Sequence, residues 1–448
     1  MKSKRYHLLA WLSEHQVLLE LLFVALLGFY MTVWSISKPY NYAPDEAMRY
    51  DLPLYIYQNG RLPLGDDPTI RNAIWGFSYA FMPTWLEPLA AACCMHVVAF
   101  FFGESGFKLL VAARFVSVLS ISGMAFCLAR TLDRLFERHI KWLTLVIICL
   151  IPQVTFLGSY VNQDSVNLLG ASVILLAWVQ GIQDGWNVKN SILLSAGISI
   201  VALSYYFGYG WILASILLFF VSFFAKMGKN QDLSRMWKLT GLICAIVIGI
   251  TAFFFIRNLV LYDGDLLGRT SMANAQRLYA RPDFKPEQHP SLQAQGNNIT
   301  YLLHDKGWWQ KSFISFIGCF GYMEFMVNEW VWGGYALLFT FLLIMCILSV
   351  VFVIRRKEKT KAIFGLFLGL MFLLPIFLSY WYSYTSDYQA QGRYVMSLLP
   401  SLTMITANGI KTAEEHKVLK SIVITGMVVY TILYVFCNVY MPSQSGMN

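Results

Sequence analysis

Long apolar runs separated by short polar stretches recur along the whole of this 448-residue chain. The strongest cover 17–37, 109–130, 142–158, 165–182, 191–207, 209–225, 239–256, 333–354, 362–382, 394–410 and 421–440. Each approaches the roughly 20 apolar residues that a helix needs to cross a bilayer. The pattern predicts an all-α polytopic membrane protein forming one integral domain over 1–448. A further run, 85–102, is ambiguous by length and hydropathy alone. Two regions between runs are long, 38–108 and 257–332, and loops of that size in a compact membrane domain are usually functional.

Composition agrees with the pattern. Hydrophobic residues make up 57% of the chain and charged residues 13%, with a mean hydropathy of +0.54. A soluble chain carries about 25% charged residues. The net charge of +9 does not point to nucleic acid, because the basic residues fall in short clusters between apolar runs. The eight cysteines lack a CxxC spacing, and nearly all lie inside apolar segments, so they read as small apolar residues. The first run follows Lys2, Lys4 and Arg5, is too long for a signal-peptide core and has no clear cleavage site. It reads as a retained anchor with a cytoplasmic N-terminus.

The basic clusters orient the chain. Arg130–Lys141, Lys226–Lys238, Arg355–Lys361 and Lys411–Lys420 all fall on the N-terminal side of the membrane only if 85–102 makes no full crossing. That threading gives about eleven spans, an external C-terminus and two external loops, 38–108 and 257–332. Within the second loop, 277–290 has no helical apolar period and reads as irregular. The aromatic stretch Trp308 to Trp332 suits helices lying in the interface.

Candidate chemistry collects on the external side. Asp45 and Glu46 follow the first run directly. The apolar stretch after them, ending at Asn59-Gly60-Arg61-Leu62-Pro63, reads as a short interfacial element closed by a turn. The plain alternative is a solvated loop. Asn162 and Asp164 lie in a short turn between two spans, where Asp164 is either a helix cap or a second acid facing the cavity of Asp45. Arg393, in Gln391-Gly392-Arg393-Tyr394, and Arg257, at the end of a span, are outward arginines placed against the positive-inside trend. Each is either a snorkelling side chain or a phosphate ligand, since guanidinium binds phosphate bidentately. His96 and His304 stand alone, and Asn298-Ile-Thr300 matches a glycosylation sequon. No Walker motif, GxGxxG, HExxH or cytoplasmic DxD-type run is present.

Taken together these residues resemble the C-type (GT-C fold) membrane glycosyltransferase superfamily, in particular its protein O-mannosyltransferase and aminoarabinose-transferase branch and related bacterial membrane proteins. The resemblance rests on Pro44-Asp45-Glu46, Gly60-Arg61-Leu62-Pro63, Glu87-Pro88-Leu89 through Gly103-Glu104-Ser105 to Arg114, Asn162-Gln-Asp164, Arg257-Asn258 through Asp265, and Gln391-Gly392-Arg393-Tyr394. It implies Asp45 as catalytic base or acceptor-orienting group with Glu46 as neighbour, Asp164 as second acid, and Arg257 and Arg393 on the donor phosphate. Arg49, Asn162, Gln391 and Tyr394 are the accompanying substrate-binding candidates. The implied donor is a polyprenyl-phosphate-linked sugar, and the acceptor a glycan, lipid or protein at the external face of what is expected to be a bacterial cytoplasmic membrane. No cofactor is certain, although some family members use a divalent metal at the paired acids. The rival readings are a transporter or flippase of lipid-linked sugars, and a ligase or polymerase of a preassembled glycan.

Overall fold

The computed structural model describes residues 15–226, 233–356, 358–415 and 417–435. Lys2, Lys4, Arg5, Lys229, Lys357 and Cys437 lie outside the described residues. The fold is helical, with one two-stranded antiparallel hairpin, β1 (Cys319–Phe320) and β2 (Phe325–Met326). Seven helices among the described residues are long and apolar enough to cross a membrane. They are α1 (Gln16–Ser37), α4 (Gly106–Asp133), α7 (Gln163–Asp184), α9 (Tyr209–Lys226, with the 3-10 turn before it), α10 (Leu233–Leu261), α14 (Glu329–Arg355) and α15 (Lys359–Thr385). Their outward faces carry bare apolar side chains such as Leu337 (77% exposed), Leu366 (70%) and Leu26 (69%), a surface suited to lipid rather than water.

Other apolar runs form helices shorter than expected. The run 142–158 is broken before Pro152 into α5 (Arg138–Cys149) and α6 (Pro152–Leu157), because proline has no N–H to continue the helix. The run 191–207 ends early as α8 (Val188–Ala202). The run 394–410 starts as a 3-10 stretch, Gly392–Leu398, and becomes α-helical only as α16 (Leu399–Glu414), after which α17 covers Lys417–Val435.

α1 and α4 run side by side and set the levels of the molecule. Near one end Arg130 Nη1 meets Glu20 Oε2 at 3.1 Å. At the other, Arg114 Nη1 donates to the carbonyls of Ser35 (2.7 Å) and Lys38 (2.8 Å). At about 1.5 Å per residue these two levels are roughly 23 Å apart. α4 continues past Arg114 to Gly106, and α3 (Leu86–Phe102) packs there, with Ala91 and Met95 against Leu109, Leu110 and Ala113. α3 therefore stays at the Asp45 end and does not return through the bundle.

The basic cluster at the opposite end is not simply solvated charge. Lys141, fully buried, donates to Glu20 Oε1 at 2.8 Å and Asp133 Oδ1 at 2.7 Å. Arg134 pairs with Asp184 at 2.9 Å, tying α4 to α7.

The two long loops form one layer over the Asp45 end. α2 (Glu46–Asn59) is packed inside that layer rather than floating on lipid: Tyr50 joins the α3–α4 contact, while Leu52 and Ile56 pack with Trp85 and Ala92. The second loop holds α11 (Arg269–Tyr279), two one-turn 3-10 segments within 282–288, α12 (Tyr301–His304) and α13 (Trp308–Ile317). It clasps the first loop through Asn258 Nδ2 to Phe81 O (2.7 Å) and Gly65 N to Tyr262 Oη (2.9 Å). Gly268, at φ +68, lies so close to Phe81 O that a Cβ would stand 1.8 Å from it. The stretch expected to lie in the interface instead contains the hairpin and a buried Trp308, whose Nε1 donates to Ser383 Oγ at 2.9 Å. A buried indole N–H left unpaired is costly, and Ser383 supplies the partner here.

Candidate active site

Asp45 occupies the N-cap position of α2, where an aspartate normally accepts from the first-turn amides. Here it makes no side-chain cap. Its backbone is left-handed, φ 63 and ψ 6, and Asn41 braces the helix start instead by accepting from Ala47 N at 3.1 Å. A non-glycine residue in that region costs about 1–2 kcal/mol. The conformation leaves the carboxylate free for Arg393, whose Nη2 reaches Asp45 Oδ2 at 2.7 Å. Burial raises the pKa of Asp45, but Arg393 and Arg49, with hydrogen bonds from Arg393 and Tyr79, more than offset this and hold it below the ordinary carboxylate range. The solvated-loop alternative does not describe this residue.

Arg393 arrives from the 3-10 stretch Gly392–Leu398. Gly392 is pressed against α13: its N–H donates to Ser315 Oγ, and a Cβ there would meet Phe316 N at 2.1 Å. Arg393 is 7% exposed, its guanidinium lies 4.9 Å from the Tyr394 ring, and Nη2 also donates to Tyr394 Oη at 3.0 Å. Its Nε is buried without a hydrogen-bond partner. Gln391 donates to Gln389 at 2.6 Å, and its own Oε1 is buried and unpartnered.

A second acid–arginine pair belongs to the same cluster. Arg49, one turn along α2 from Asp45, reaches Asp164 Oδ2 with Nη1 at 3.5 Å. Its guanidinium is flanked by the rings of Tyr79 (5.6 Å) and Tyr205 (5.7 Å). Asp164 does not cap α7. Asn162 does, accepting from Ser165 N at 2.8 Å while its amide donates to Leu157 O and Tyr160 O. Asn162 thus shapes the turn that presents Asp164.

Two expected residues are placed elsewhere. Glu46 is fully buried and gripped by Arg114, Nε to Oε1 at 2.7 Å and Nη2 to Oε2 at 2.8 Å. It also accepts from Val161 N at 3.2 Å. Both its oxygens are committed to joining α2, α4 and the turn before α7. Arg257 donates to Pro63 O at 2.6 Å and lies 5.3 Å from the Trp85 ring, clasping the two loops rather than meeting Arg393. Arg114, Tyr79 and Tyr205 carry contacts that sequence reading did not assign. An arginine inside an apolar helix was the available signal for Arg114, since such residues are buried only when paired.

Asp45 and Asp164 each engage a guanidinium, and among the described residues no three His, Cys, Asp or Glu side chains gather. Beside Arg393 a cavity of about 10 Å³ is lined by Pro44, Phe156, Tyr160 and Gln391. Behind the 392–398 stretch an apolar crevice of about 130 Å³ opens between Trp308, Phe313, Phe372 and Val395.

Residues 71–402 match the family described as predicted membrane protein (DUF2142). Among curated proteins none matches the sequence. The fold is similar to an archaeal oligosaccharyltransferase, AglB from Archaeoglobus fulgidus, solved with an inhibitory peptide and a dolichol-phosphate. There the TM-score is 0.53 at 12% identity, over 97% of this chain and 56% of that one. It is similar also to ArnT from Cupriavidus metallidurans in the apo state, with a TM-score of 0.53 at 12% identity over 96% of this chain and 76% of that one. The chain thus spans little more than half the length of the oligosaccharyltransferase, and at these identities the likeness is one of fold: a GT-C fold.

Proposed function

From the premise that this chain belongs to the DUF2142 family of predicted membrane proteins and has a GT-C fold, we propose that it is a glycosyltransferase. It moves a sugar from a polyprenyl-phosphate-linked donor to an acceptor hydroxyl at the external face of the membrane. The observation that carries this is the Asp45–Arg393 pair at 2.7 Å, a carboxylate held by a nearly buried guanidinium that retains an unpartnered Nε.

The chemistry follows from the pair. A phosphate leaving group needs no strong acid, only cations to take its developing charge, and Arg393 with Arg49 supplies them. The acceptor oxygen bonds to the anomeric carbon as the carbon–oxygen bond to phosphate breaks. The hydroxyl proton passes to Asp45 or to water, and a single displacement inverts the centre. A carboxylate held at low pKa by Arg393 is a poor base. When the donor phosphate takes that guanidinium, Asp45 loses the partner that depresses it and becomes more basic. The donor thereby switches on the residue that orients its acceptor. The apolar crevice behind residues 392–398 suits a prenyl tail.

Asp45→Asn keeps the shape and removes the base. Purified protein, given a polyprenyl-phosphate sugar and no ion gradient, is expected to lose transfer by about 10²-fold or more while still binding the donor. Near-normal transfer by a folded Asp45→Asn protein removes Asp45 from the mechanism. Gradient-dependent movement of the lipid-linked sugar without transfer makes the protein a flippase instead.

A further inference from the structure

We propose that a cleft beside residues 36–42, walled off from Arg393, is the acceptor site, and that the acceptor is a glycolipid. Such a lipid carries a neutral, hydroxyl-rich head on a hydrocarbon tail. The inference rests on the reading of Asp45 as the residue that orients the acceptor hydroxyl.

The cleft measures about 1100 Å³. Ligand pockets commonly enclose about 300–1,000 Å³, so it has room for a substrate head group. The end of α1 and the segment after it form one wall, α2 a second, and the α3–α4 turn with the start of α4 a third. Tyr42 packs edge-on against Phe156, with ring centroids 6.2 Å apart. Tyr42 and the hairpin residue Phe325 line the cleft, whereas Phe156 and the hairpin residue Met323 line the small cavity beside Arg393. A donor phosphate held at Arg393 therefore lies across a partition from the cleft. Asp45 follows Tyr42 closely on the segment that builds this wall. Its side chain is 27% exposed against 6% for that of Arg393, so the carboxylate is the member of the pair that an incoming hydroxyl can reach.

The lining is amphiphilic. Ile36, Leu54, Phe107 and Leu110 are apolar. Tyr40, Tyr42, Tyr50 and Gln58 bring groups that both donate and accept hydrogen bonds, as a head rich in hydroxyls requires. The apolar part continues down the outward face of α1. Leu22, Leu26, Phe29, Val33 and Ile36 recur at alternating spacings of four and three residues, which puts them in one row, and all are exposed. At about 1.5 Å per residue the row is roughly 21 Å long, more than one leaflet of a hydrocarbon core about 30 Å thick. Ile36 ends the row and also lines the cleft, so a tail lying on the row delivers its head there. A water-soluble acceptor has no use for such a row. Charge selects the head. Lys38, the cation of the lining, has its ammonium over the Trp34 ring at 5.1 Å and the Tyr42 ring at 5.0 Å, and Glu104 brings a negative charge. That balance suits hydroxyls better than a phosphate.

In transfer, a head-group hydroxyl oxygen bonds to the anomeric carbon. The bond to phosphate breaks with its electron pair leaving on the phosphate, and the hydroxyl proton passes to Asp45 or to water. The product is the same lipid, one sugar larger.

Photo-labelling of the full-length protein in phosphatidylcholine nanodiscs tests the occupant. The probes are glucosyl diacylglycerol and phosphatidylcholine bearing the same diazirine acyl chain. The glucosyl probe is expected to label residues 36–42 and 104–110 about threefold or more above the phosphatidylcholine probe, the discrimination of a single net hydrogen bond. Both probes should label α10 equally around the exposed Ile248 and Phe253. Tyr40→Ala combined with Gln58→Ala, both at exposed positions, is expected to erase the preference and leave α10 labelling as it was. Equal labelling of the cleft by both probes shows a boundary lipid only and overturns the proposal, as does a preference that survives the double variant.

The acceptor role is read by mass spectrometry of lipid, protein and soluble-glycan fractions from cells making the wild type or Asp45→Asn. A lipid one sugar heavier, formed by the wild type alone, is expected. The added sugar on protein or soluble glycan instead overturns the glycolipid acceptor and leaves the transferase reading standing. An added sugar in none of the fractions removes the transferase reading, and the acceptor role falls with it.

Discussion

At the scale of single residues, the cluster separates an acid sealed inside the fold from one that keeps an exposed edge. Glu46 and Asp45 are neighbours in sequence, yet one is sealed under Arg114 and the other is shared with Arg393. Arg114→Met is expected to leave Glu46 as an unpaired buried charge and to cost about 3–5 kcal/mol of stability. Adding Glu46→Gln to Arg114→Met should recover part of that loss. Thermal unfolding in detergent reads both, and a negligible change in the single variant would assign the pair a lesser structural role. Arg393 behaves differently. Arg393→Ala removes a charge-assisted contact worth about 1.5–3 kcal/mol and is expected to weaken donor binding by tenfold or more. The same change should release Asp45 and raise its pKa toward the ordinary value. Unchanged donor affinity in Arg393→Ala would return the residue to a purely structural part. Because the native Asp45 pKa is depressed, the pair's contribution is present above the ordinary carboxylate range and is lost only as pH falls below it. An acidic decline in transfer within pH 5–7 should therefore not come from Asp45 in the free enzyme.

At the scale of elements, the site depends on a short 3-10 stretch held against a helix. Gly392–Leu398 carries Arg393, and α13 presses on it so closely that only hydrogen fits at position 392. Gly392→Ala is expected to push the stretch off Phe316 at a cost of about 1–3 kcal/mol, displacing Arg393 with it. The measurements are melting temperature and donor affinity together. Gly333→Ala is the control, because a Cβ there meets nothing within 4 Å. Wild-type donor binding in Gly392→Ala would show that α13 does not position Arg393. α2 illustrates the same dependence: Asn41 takes over the capping task, and this releases Asp45 from it.

At the scale of the whole molecule, α3 and the two loops lie at one end of the bundle, and the paired Glu20, Arg130, Asp133 and Lys141 lie at the other. With the basic end cytoplasmic, position 105 in the α3–α4 turn faces outward. Ser105→Cys, in a background with the exposed Cys93 and Cys244 as serine, is expected to react with an impermeant maleimide added outside intact cells. Labelling only after permeabilisation would invert the orientation and move the site to the other face.

What could be read from the chain alone follows from terms that depend on sequence. Apolar length shows which segments prefer lipid, and the clusters at Arg130–Lys141 and Arg355–Lys361 suggest a side for each loop. Asp45 and Arg393 stood out because charge next to an apolar run is costly without a purpose. Sequence reading did not determine which carboxylate takes which arginine, because those pairs join residues far apart in the chain. Arg393 meets Asp45 across 348 positions, Arg114 meets Glu46 across 68, and Arg49 meets Asp164 across 115. Nor did it distinguish Asn162 as the cap from Asp164 as the acid, since either residue type serves at an N-cap and only the turn's geometry selects one. Arg257 and Arg393 looked alike as outward arginines. The folded chain gives Arg257 a carbonyl partner and Arg393 a carboxylate, a difference that no local sequence pattern encodes.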